Sequence, residues 1–456
     1  MIKRTRLIIL IVCVVCFFVI TPILVFYSMG YRFNFEKMEI TATGGIYVRT
    51  FPAAGQIVID SKISEKPGLF SNSIFVQSLI PKNHTVLVAK QGYYDYSKII
   101  PVEKNQVTKL ENILLVKSAL TFAGISDKVD YFSTAPNNQN IITAYLIGKN
   151  ISFNYFKLGQ TSKAQIFSIS QTGNVSDIKW SDDSHSALIK IDNQGSISYY
   201  LVDATNQKLA PVRLSYLDRN SQQISFNPQD SLSLFYIKNR TLYSAKGDNS
   251  LPIINSIISF KTSGSNIIWL STKGALNVSD LSGKSTSPII SKNLTLDSSQ
   301  TYKITSVAGN TFLESNKSLF ELNQRAKSFE DLDVPTINYK LIASSDNKNL
   351  VLCNARQIYL YSLADKKYNK LFSGENITDC QWLNNNYIIF TDGNKIIISE
   401  IDYRGNINVI TLPQTITTQS DQTIAIKNPK MFFNPQDGKV YILTNNTFIT
   451  SEKINP

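Results

Sequence analysis

The stretch that decides the fold is DIKWSDD at residues 177–183, because looser copies of it recur along the rest of the chain. In each copy a short apolar run ends in an aromatic residue, and a polar turn usually follows. The other copies are ISFNPQD at 224–230, IIW at 267–269, CQW at 380–382 and MFFNPQD at 431–437. A strand-and-turn element repeated in this way predicts a tandem array of similar β units.

The spacing of the repeat gives the size of each unit. Trp180 and Phe226 are 46 residues apart, and Phe226 and Trp269 are 43 apart. The 113 residues from Trp269 to Trp382 divide into three steps of about 38. A unit of this length with four short strands is typical of a β-propeller blade. We therefore predict about eight units, and a propeller of seven or eight blades, over residues 118–456. A solenoid or a tandem of sandwiches is the alternative.

The 38-residue steps place two further units near Val307 and Ser344. The last unit begins at Pro429 and has room for only about three strands. A propeller has to close its ring, because an open end leaves strand edges unpaired. We expect the apolar run 112–122 to supply the missing strand.

The turn after Trp180 resembles the WD40-like repeat of periplasmic and peptidase propellers, whose core is Trp-Ser-Pro-Asp-Gly. Asp182 stands at the proline position of that core and Ser184 at the glycine position. The resemblance implies blade-forming repeats. The peptidases that carry such propellers also have a hydrolase domain, but no G-x-S-x-G nucleophile motif occurs in this chain.

Residues 1–30 are predicted to form a short cytoplasmic tip and a transmembrane anchor. Residues 7–29 contain no charge and would form a helix of roughly 35 Å, enough to cross a bilayer. Lys3, Arg4 and Arg6 precede this run, so the positive-inside rule places the N-terminus in the cytoplasm and the rest outside. A cleaved signal peptide is the alternative. The apolar run is longer than a signal peptide needs, and no A-x-A cleavage pattern follows it.

Residues 41–117 are predicted to form a small β-sandwich, because short apolar strands alternate with turns there. The order of GIYV at 45–48, PAAG at 52–55 and QIVID at 56–60 resembles a PEGA domain over residues 43–115. The namesake Pro-Glu-Gly-Ala is replaced by Pro-Ala-Ala-Gly. The resemblance implies a surface or envelope interaction module without catalytic residues.

The fold class is therefore all-β after the transmembrane helix, and its surface charge is diffuse. The formal charge of +12 divides into +3 in the first six residues, +4 over residues 31–118 and +5 in the remainder. No basic run of the kind that follows nucleic acid is present, so we predict no nucleic-acid partner.

The cysteines and histidines indicate no reactive site. Cys353 and Cys380 lie in separate strand-like runs without CxxC spacing, and we expect free thiols, with a bridge left open as the alternative. His84 and His185 are the only histidines and are expected in surface or turn positions. No Walker A, H-E-x-x-H or EF-hand pattern occurs. We therefore predict no catalytic, cofactor-binding or metal site, and no enzymatic activity.

Two further residue types are open to more than one interpretation. The three tryptophans could stack on sugars, but their phase in the repeat favours blade cores; they are Trp180, Trp269 and Trp382. Acidic residues recur in the turn after the first strand of several units: Asp182, Asp183, Asp230, Asp346 and Asp437. We expect these acids to cap their own turns. If two of them converged within about 5–10 Å, they would instead resemble a glycosidase pair.

These patterns together predict a membrane-anchored, extracytoplasmic binding or scaffolding protein of the bacterial cell envelope. Its expected partners are the cell membrane, through the N-terminal helix, and an envelope protein or cell-wall glycan. The alternative is a propeller-based glycan-active hydrolase or lyase with carboxylates in the channel or on one rim.

Overall fold

The computed structural model describes residues 3–35, 37–68, 71–158, 165–206, 210–334, 338–417 and 423–454. Over these ranges the chain is mostly β, with one N-terminal helix. It divides into two compact units. The first contains Met1–Leu120, Ile398–Leu412 and Lys453–Pro456, and the second contains Thr121–Ile397 and Pro413–Glu452.

The helix α1 spans Lys3–Ser28. Within it, Leu7–Ser28 is long and apolar enough to cross a membrane, with a mean hydropathy of 3.3. Its large apolar side chains are exposed along its length, and at its end Phe26 packs against Tyr31 with ring centroids 5.6 Å apart. A membrane anchor and a signal sequence both have these properties, because each exchanges water for hydrocarbon.

The described residues before Leu120 form nine strands of the first unit: β1 (Tyr31–Asn34), β2 (Glu39–Ala42), β3 (Gly44–Phe51), β4 (Gln56–Ile59), β5 (Ile63–Glu65), β6 (Ser73–Leu79), β7 (Asn83–Ala89), β8 (Tyr96–Pro101) and β9 (Val107–Leu114). β1 and β2 form a separate hairpin. The others form two sheets, in the orders β5-β4-β7-β8 and β6-β3-β9. β3 and β9 are parallel, and every other pair is antiparallel. Alternate apolar side chains of the two sheets share one core, which includes Ile46, Val48, Val86 and Val88.

A fully buried lysine joins β8 to the segment 398–412, about 300 residues later in the chain. Lys98 Nζ lies 2.5 Å from Glu400 Oε1, and also donates to the backbone oxygens of Asp402 (2.8 Å) and Asn406 (3.0 Å). The other carboxylate oxygen of Glu400 accepts from the Tyr96 hydroxyl at 3.0 Å. A buried charge is tolerated only when it is paired and hydrogen-bonded, and each of these groups meets that condition.

The backbone segments on either side of this ion pair, at residues 97–99 and 405–406, lie in close contact. Asn406 Oδ1 accepts from the Ile99 N–H at 2.7 Å, and Asn406 Nδ2 donates to Ser97 O at 2.8 Å. Gly405 has φ +65°, and a Cβ there would lie 1.8 Å from Ile99 O. Only glycine fits at that position, because both the left-handed backbone and the close approach exclude a side chain.

The second unit begins with β10 (Phe122–Ser126). The strands of its first four sheets are β11 (Tyr131–Thr134), β12 (Asn140–Ile147), β13 (Asn150–Lys157), β14 (Gln165–Ile169), β15 (Asn174–Trp180), β16 (Ser186–Asn193), β17 (Ser196–Asp203), β18 (Val212–Arg213), β19 (Gln222–Asn227), β20 (Asp230–Lys238), β21 (Thr241–Lys246), β22 (Asn249–Asn255), β23 (Ile257–Ser263), β24 (Asn266–Ser271), β25 (Leu276–Asp280) and β26 (Ser287–Pro288).

The remaining strands are β27 (Tyr302–Val307), β28 (Asn310–Ser315), β29 (Leu319–Asn323), β30 (Ser328–Asp331), β31 (Lys340–Ala343), β32 (Asn349–Cys353), β33 (Gln357–Ser362), β34 (Lys367–Ser373), β35 (Ile377–Asn384), β36 (Tyr387–Asp392), β37 (Lys395–Glu400), β38 (Val409–Thr411), β39 (Thr415–Thr417), β40 (Thr423–Ala425), β41 (Lys430–Asn434), β42 (Lys439–Thr444) and β43 (Thr447–Ser451). Seven sheets consist of four consecutive strands each, from β11–β14 to β35–β38. β39 and β40 form a short hairpin.

The eighth sheet has the order β10-β43-β42-β41, so it takes its outermost strand from the start of the unit. Phe122 pairs with Ser451 and Ala123 with Thr450. The missing strand was predicted at residues 112–122, which is wrong except for Phe122. Residues 112–114 end β9, where Ile113 is buried in the core of the first unit and is not available to a second sheet.

Apolar clusters connect neighbouring sheets. Ile178 and Trp180 of the second sheet share a core with Phe153 and Phe167 of the first. Similar clusters join the second sheet to the third, the third to the fourth, the fourth to the fifth and the fifth to the sixth. Another cluster brings β11 and β12 against β42 and β43, so the eighth sheet packs against the first.

The predicted repeat positions are correct in most units. Val307 ends β27, and Ser344 directly follows β31, so both predicted intermediate units contain a first strand there. Trp180 is buried, as expected for a core residue. Trp269 is misassigned, because it lies in β24, the second strand of its sheet. The first strand is β23, where Phe260 occupies the core.

The expectation of free thiols at Cys353 and Cys380 is wrong. The two residues form a disulfide, with Cα atoms 6.5 Å apart and 27 residues of sequence separation. Cys353 lies in β32 and Cys380 in β35, so the bond joins the sixth and seventh sheets. Sequence spacing could not reveal the pair, because its proximity depends on the packing of two sheets.

Replacing Lys98 by Met should lower the free energy of unfolding by about 3–5 kcal/mol, because Glu400 would keep a buried charge without its partner. Lys98→Met/Glu400→Gln should recover at least half of that loss, since the glutamine oxygen still accepts from the Asn408 N–H and its amide nitrogen can donate to the Tyr96 hydroxyl oxygen. Urea unfolding of the detergent-solubilised chain measures both effects.

Lys109→Met is the matched control, because Lys109 pairs with Glu111 at 3.3 Å on the surface. An exposed pair of this kind contributes less than about 1 kcal/mol. Equal losses for Lys98→Met and Lys109→Met would contradict a stabilising role of the buried pair.

Candidate functional site

Polar residues alternate with core residues in the first strands of the eight sheets. In β15, Ile178 and Trp180 are buried, whereas Asp177 and Lys179 are exposed. We call the polar set the first-strand lining. Its charged and amide members are Asp177, Lys179, Gln223, Lys261, Lys303, Lys340, Asp379, Gln381 and Lys430.

Two glutamines of the lining link the first strand of one sheet to that of the next. Gln381 of β35 accepts from the Phe433 N–H at 2.9 Å and donates to Met431 O at 3.1 Å. Gln223 of β19 makes the same pair of contacts to the β23 backbone, at 3.1 and 3.4 Å. Each primary amide therefore satisfies one donor and one acceptor of a neighbouring strand, as a further strand would.

Other lining contacts also cross between sheets. Lys179 Nζ donates to Ile224 O of the third sheet. Lys430 of the eighth sheet places its ammonium 3.4 Å from the ring centroid of Tyr131 in the first. Trp382 Nε1 donates to Ile342 O of the sixth sheet at 2.9 Å. The first strands thus lie close enough for side chains of one sheet to bind the next.

The lining carries five lysines and two aspartates. Within the described ranges, none of these seven residues forms an ion pair. Burial lowers the pKa of Lys179, and the positive charges of Lys261 and Lys303 lower it further. The Lys179 side chain nevertheless has water-accessible surface. The surrounding protein therefore restricts its hydration without sealing it from solvent.

The two aspartates of the lining both act on Tyr131 of the first sheet. Burial and the charge of Asp177 raise the pKa of Tyr131 to about 12, and Asp379 adds to this effect. Burial also raises the pKa of Asp379, against the opposing effects of the Met431 N–H and Lys430. The negative charges therefore act on Tyr131 and Lys430, and they also lie within electrostatic reach of Lys179 and Lys340.

Two cavities open beside the first strands of the third to sixth sheets. One, of about 390 Å³, is lined by Thr301, Lys303, Glu314, Ser315, Asn316, Asn338, Tyr339 and Lys340. The other, of about 350 Å³, includes Gln223, Arg240, Asp297, Gln300 and Tyr302. Both fall within the usual volume range of small-molecule sites.

The turn acids mostly cap their own turns, which confirms that interpretation. Asp183 Oδ1 accepts from the Ser181 hydroxyl at 2.5 Å and from the His185 N–H at 3.0 Å. Asp346 does the same in the sixth sheet, with the Ser344 hydroxyl at 2.6 Å and the Lys348 N–H at 3.2 Å. The Ser344 bond is the main reason that the pKa of Asp346 lies below its ordinary value.

The remaining turn acids follow the same rule with one exception. Asp230 accepts from the Leu232 N–H at 3.1 Å and from the Ser233 hydroxyl at 2.6 Å. Asp437 accepts from the Lys439 N–H at 2.9 Å and from the Tyr441 hydroxyl at 2.7 Å. Asp182 is exposed. Each of the four capping acids is bonded within its own sheet, and Asp183 also interacts with Ser231 of the third sheet.

These turns share a left-handed backbone residue at one position. Ser184 stands at the glycine position and has φ +62°. Asn138 and Asn347, at the same position of two other turns, have φ +56° and +54°. Glycine and asparagine adopt this left-handed conformation most readily, so the turn shape is retained although the glycine is replaced.

The two histidines differ in their environments. His185 is exposed and lies 3.2 Å from Asp183, as expected of a turn residue. His84 is buried, so its predicted surface position is wrong. Its ring nitrogens lie 2.7 Å from Asp60 Oδ2 and 2.7 Å from Ile80 O. Both are satisfied inside the first unit, which makes His84 a structural residue.

No cluster of three or more His, Cys, Asp or Glu side chains suited to a metal ion occurs in the described part of the chain. The first-strand lining and its adjoining cavities are therefore the candidate functional site. Sequence reasoning missed this site, because each member is a single polar residue in an ordinary strand.

The sequence matches no protein-family model and no curated protein. Among solved structures, the computationally designed Ika8 protein is 9% identical with a TM-score of 0.46, over 74% of this chain and all of that one. Hsv2 of Kluyveromyces marxianus is 8% identical with a TM-score of 0.41, over 66% and 99%. Dipeptidyl peptidase 4 of Porphyromonas gingivalis is 10% identical with a TM-score of 0.45, over 70% and 56%. Similarity at this level assigns neither a fold family nor a function.

Asp346→Ala should lower the free energy of unfolding by about 1 kcal/mol, because the turn loses two hydrogen bonds from Ser344 and Lys348. Asp182→Ala removes an exposed carboxylate from the matching turn of the second sheet and should change stability by less than about 0.5 kcal/mol. Urea unfolding compares the two variants. Equal effects would argue against the capping role.

Proposed function

We propose that this chain is a membrane-anchored, extracytoplasmic binding or scaffolding protein of the cell envelope. In this proposal the eight sheets of the second unit are the blades of a β-propeller, and residues 41–117 are a PEGA-like sandwich. The observation that carries the proposal is a polar first-strand lining shared by eight similar sheets, with turn acids that serve structure.

Three features support the propeller. The sheets have four strands each, neighbouring sheets share apolar cores, and the eighth sheet packs against the first. The pairing of β10 with β43 joins the two ends of the second unit. A closed propeller needs a strand pairing of this kind, because the pairing ties the last sheet to the start of the unit.

The membrane anchor is supported by the hairpin that follows α1. Arg32 stacks on the Tyr27 ring, 3.5 Å from its centroid, and donates to Tyr27 O at 2.7 Å. The hairpin exposes Phe33, Phe35 and Ile40. Exposed aromatic and apolar residues beside a membrane helix are favourable at the lipid–water interface, where such side chains are enriched.

The disulfide supports placement outside the cytoplasm. Bonds such as Cys353–Cys380 persist in oxidising compartments and are rare in the cytosol. The basic residues before α1 favour the same orientation, with the N-terminus inside.

The lining favours binding over catalysis. A glycan-active hydrolase or lyase would use two convergent carboxylates, and the capping acids are instead held in their own turns. A broad polar surface built from several sheets suits a ligand that contacts many of them at once.

Affinity purification after crosslinking in cells tests the proposed function. The full chain should retain an envelope protein or a cell-wall glycan, and a variant with Gln223, Gln381 and Lys261 replaced by Ala should lose most of it. Recovery of the same partner by both proteins would show that the first-strand lining does not bind it. Recovery of none would contradict the binding function.

Cysteine labelling in intact cells tests the predicted orientation of the chain in the membrane. A membrane-impermeant maleimide added to intact cells should label an Asp182→Cys variant, because residue 182 is exposed, and should not label the unaltered chain, in which Cys353 and Cys380 are bonded to each other. The mature chain should retain its N-terminal residues. Labelling only after lysis, or an N-terminus near residue 30, would contradict an extracytoplasmic anchored protein.

A further inference from the structure

Four lysines of the lining lie on the first strands of different sheets: Lys179, Lys261, Lys303 and Lys340. They lie on the second, fourth, fifth and sixth sheets. None forms an ion pair with a described residue. Like charges held near one another are costly in a partly desolvated site, and a bound anion would remove that cost.

The arrangement of the lysines leaves room between them. Lys179 is on the second sheet, yet the charges of Lys261 and Lys303 on the fourth and fifth sheets lower its pKa. The intervening third sheet contributes Ser225 and Gln223, and Gln223 is bound to the β23 backbone. The lysines therefore face a common space from several sheets.

Two of the four lysines line the cavity of about 390 Å³. Lys303 and Lys340 line it together with the polar side chains of Thr301, Asn316 and Asn338. Its volume accommodates a diphosphate or a phosphorylated sugar. Lysine binds phosphate as a point charge on a flexible stem, so several lysines on different strands suit a ligand with more than one phosphate.

The acidic groups leave this part of the lining positive. Asp177 and Asp379 both act on Tyr131 of the first sheet, and neither lines the cavity, although Asp177 also acts on Lys179 and Asp379 lies within electrostatic reach of Lys340. Glu314 is the one carboxylate among the residues lining the cavity. Burial raises its pKa, and the charge of Lys303 opposes that rise. Glu314 offsets one of the two lysine charges at most, so the residues that line the cavity keep at least one positive charge.

We propose that Lys303 and Lys340 bind a phosphate-bearing anion in the cavity that they line together. The ligand is either a free polyphosphate or the phosphodiester of an envelope glycan. The inference deepens the proposed binding function and rests on it for the location of the site outside the cytoplasm.

Calorimetric titration of the detergent-solubilised full chain tests the site, with inorganic pyrophosphate and a glycerol phosphodiester oligomer as probes. Lys303→Gln/Lys340→Gln should weaken binding of the preferred probe at least tenfold. Lys303→Arg should retain it to within about threefold, because the charge is kept. Tighter binding of pyrophosphate indicates a free polyphosphate, and tighter binding of the oligomer indicates a polymer.

The control is Lys149→Gln/Lys284→Gln, which removes two exposed lysines outside the lining and leaves the net charge equal to that of the test variant. It should change the affinity less than twofold. Equal weakening in both double variants, or binding of neither probe by the unaltered chain, overturns the site. Thermal unfolding confirms that each variant is folded. Binding in the calorimeter without a partner in cells would keep the site and contradict the envelope function.

Discussion

The second unit depends on one strand pairing. A series of sheets that pack side by side has two ends, and each end exposes a face that should be buried. β10 and β43 pair in register from Phe122–Ser451 to Ser126–Phe448, so the start and the finish of the unit share one sheet. This pairing holds the eighth sheet where β42 and β43 contact the core of β11 and β12. It also brings Lys430 over Tyr131, which makes the lining continuous from the last sheet to the first.

The repeats were predictable from the sequence where the aromatic residue ends a first strand. Trp180 and Phe226 meet that condition, and steps from them find β27 and β31 correctly. Trp269 fails, because β24 is more apolar than β23 and imitates the pattern of a first strand. The closing strand was misplaced for a related reason. Residues 112–116 are the more apolar stretch, but the first unit uses them for its own core.

The site was not predictable, and the reason is topological. Lys179 and Lys340 are 161 residues apart in a sequence with many lysines, and only the packing of sheets brings their strands into one lining. Lys98 and Glu400 show the same limit in the first unit, with 302 residues between them. The disulfide is a third case. Each involves residues that are ordinary by type and spacing and become distinctive through what they contact.

The register of β10 against β43 is the most direct test of this account. Ala123 and Thr450 are directly opposite, so cysteines placed there should form a disulfide on mild oxidation, which closes a loop of more than 300 residues. The Ala123→Cys/Thr450→Cys chain should migrate faster without reductant, and Ala123→Cys/Thr447→Cys, three residues out of register, should not. Failure of the matched pair to crosslink, or equal crosslinking by both, would contradict closure of the eight sheets through this strand.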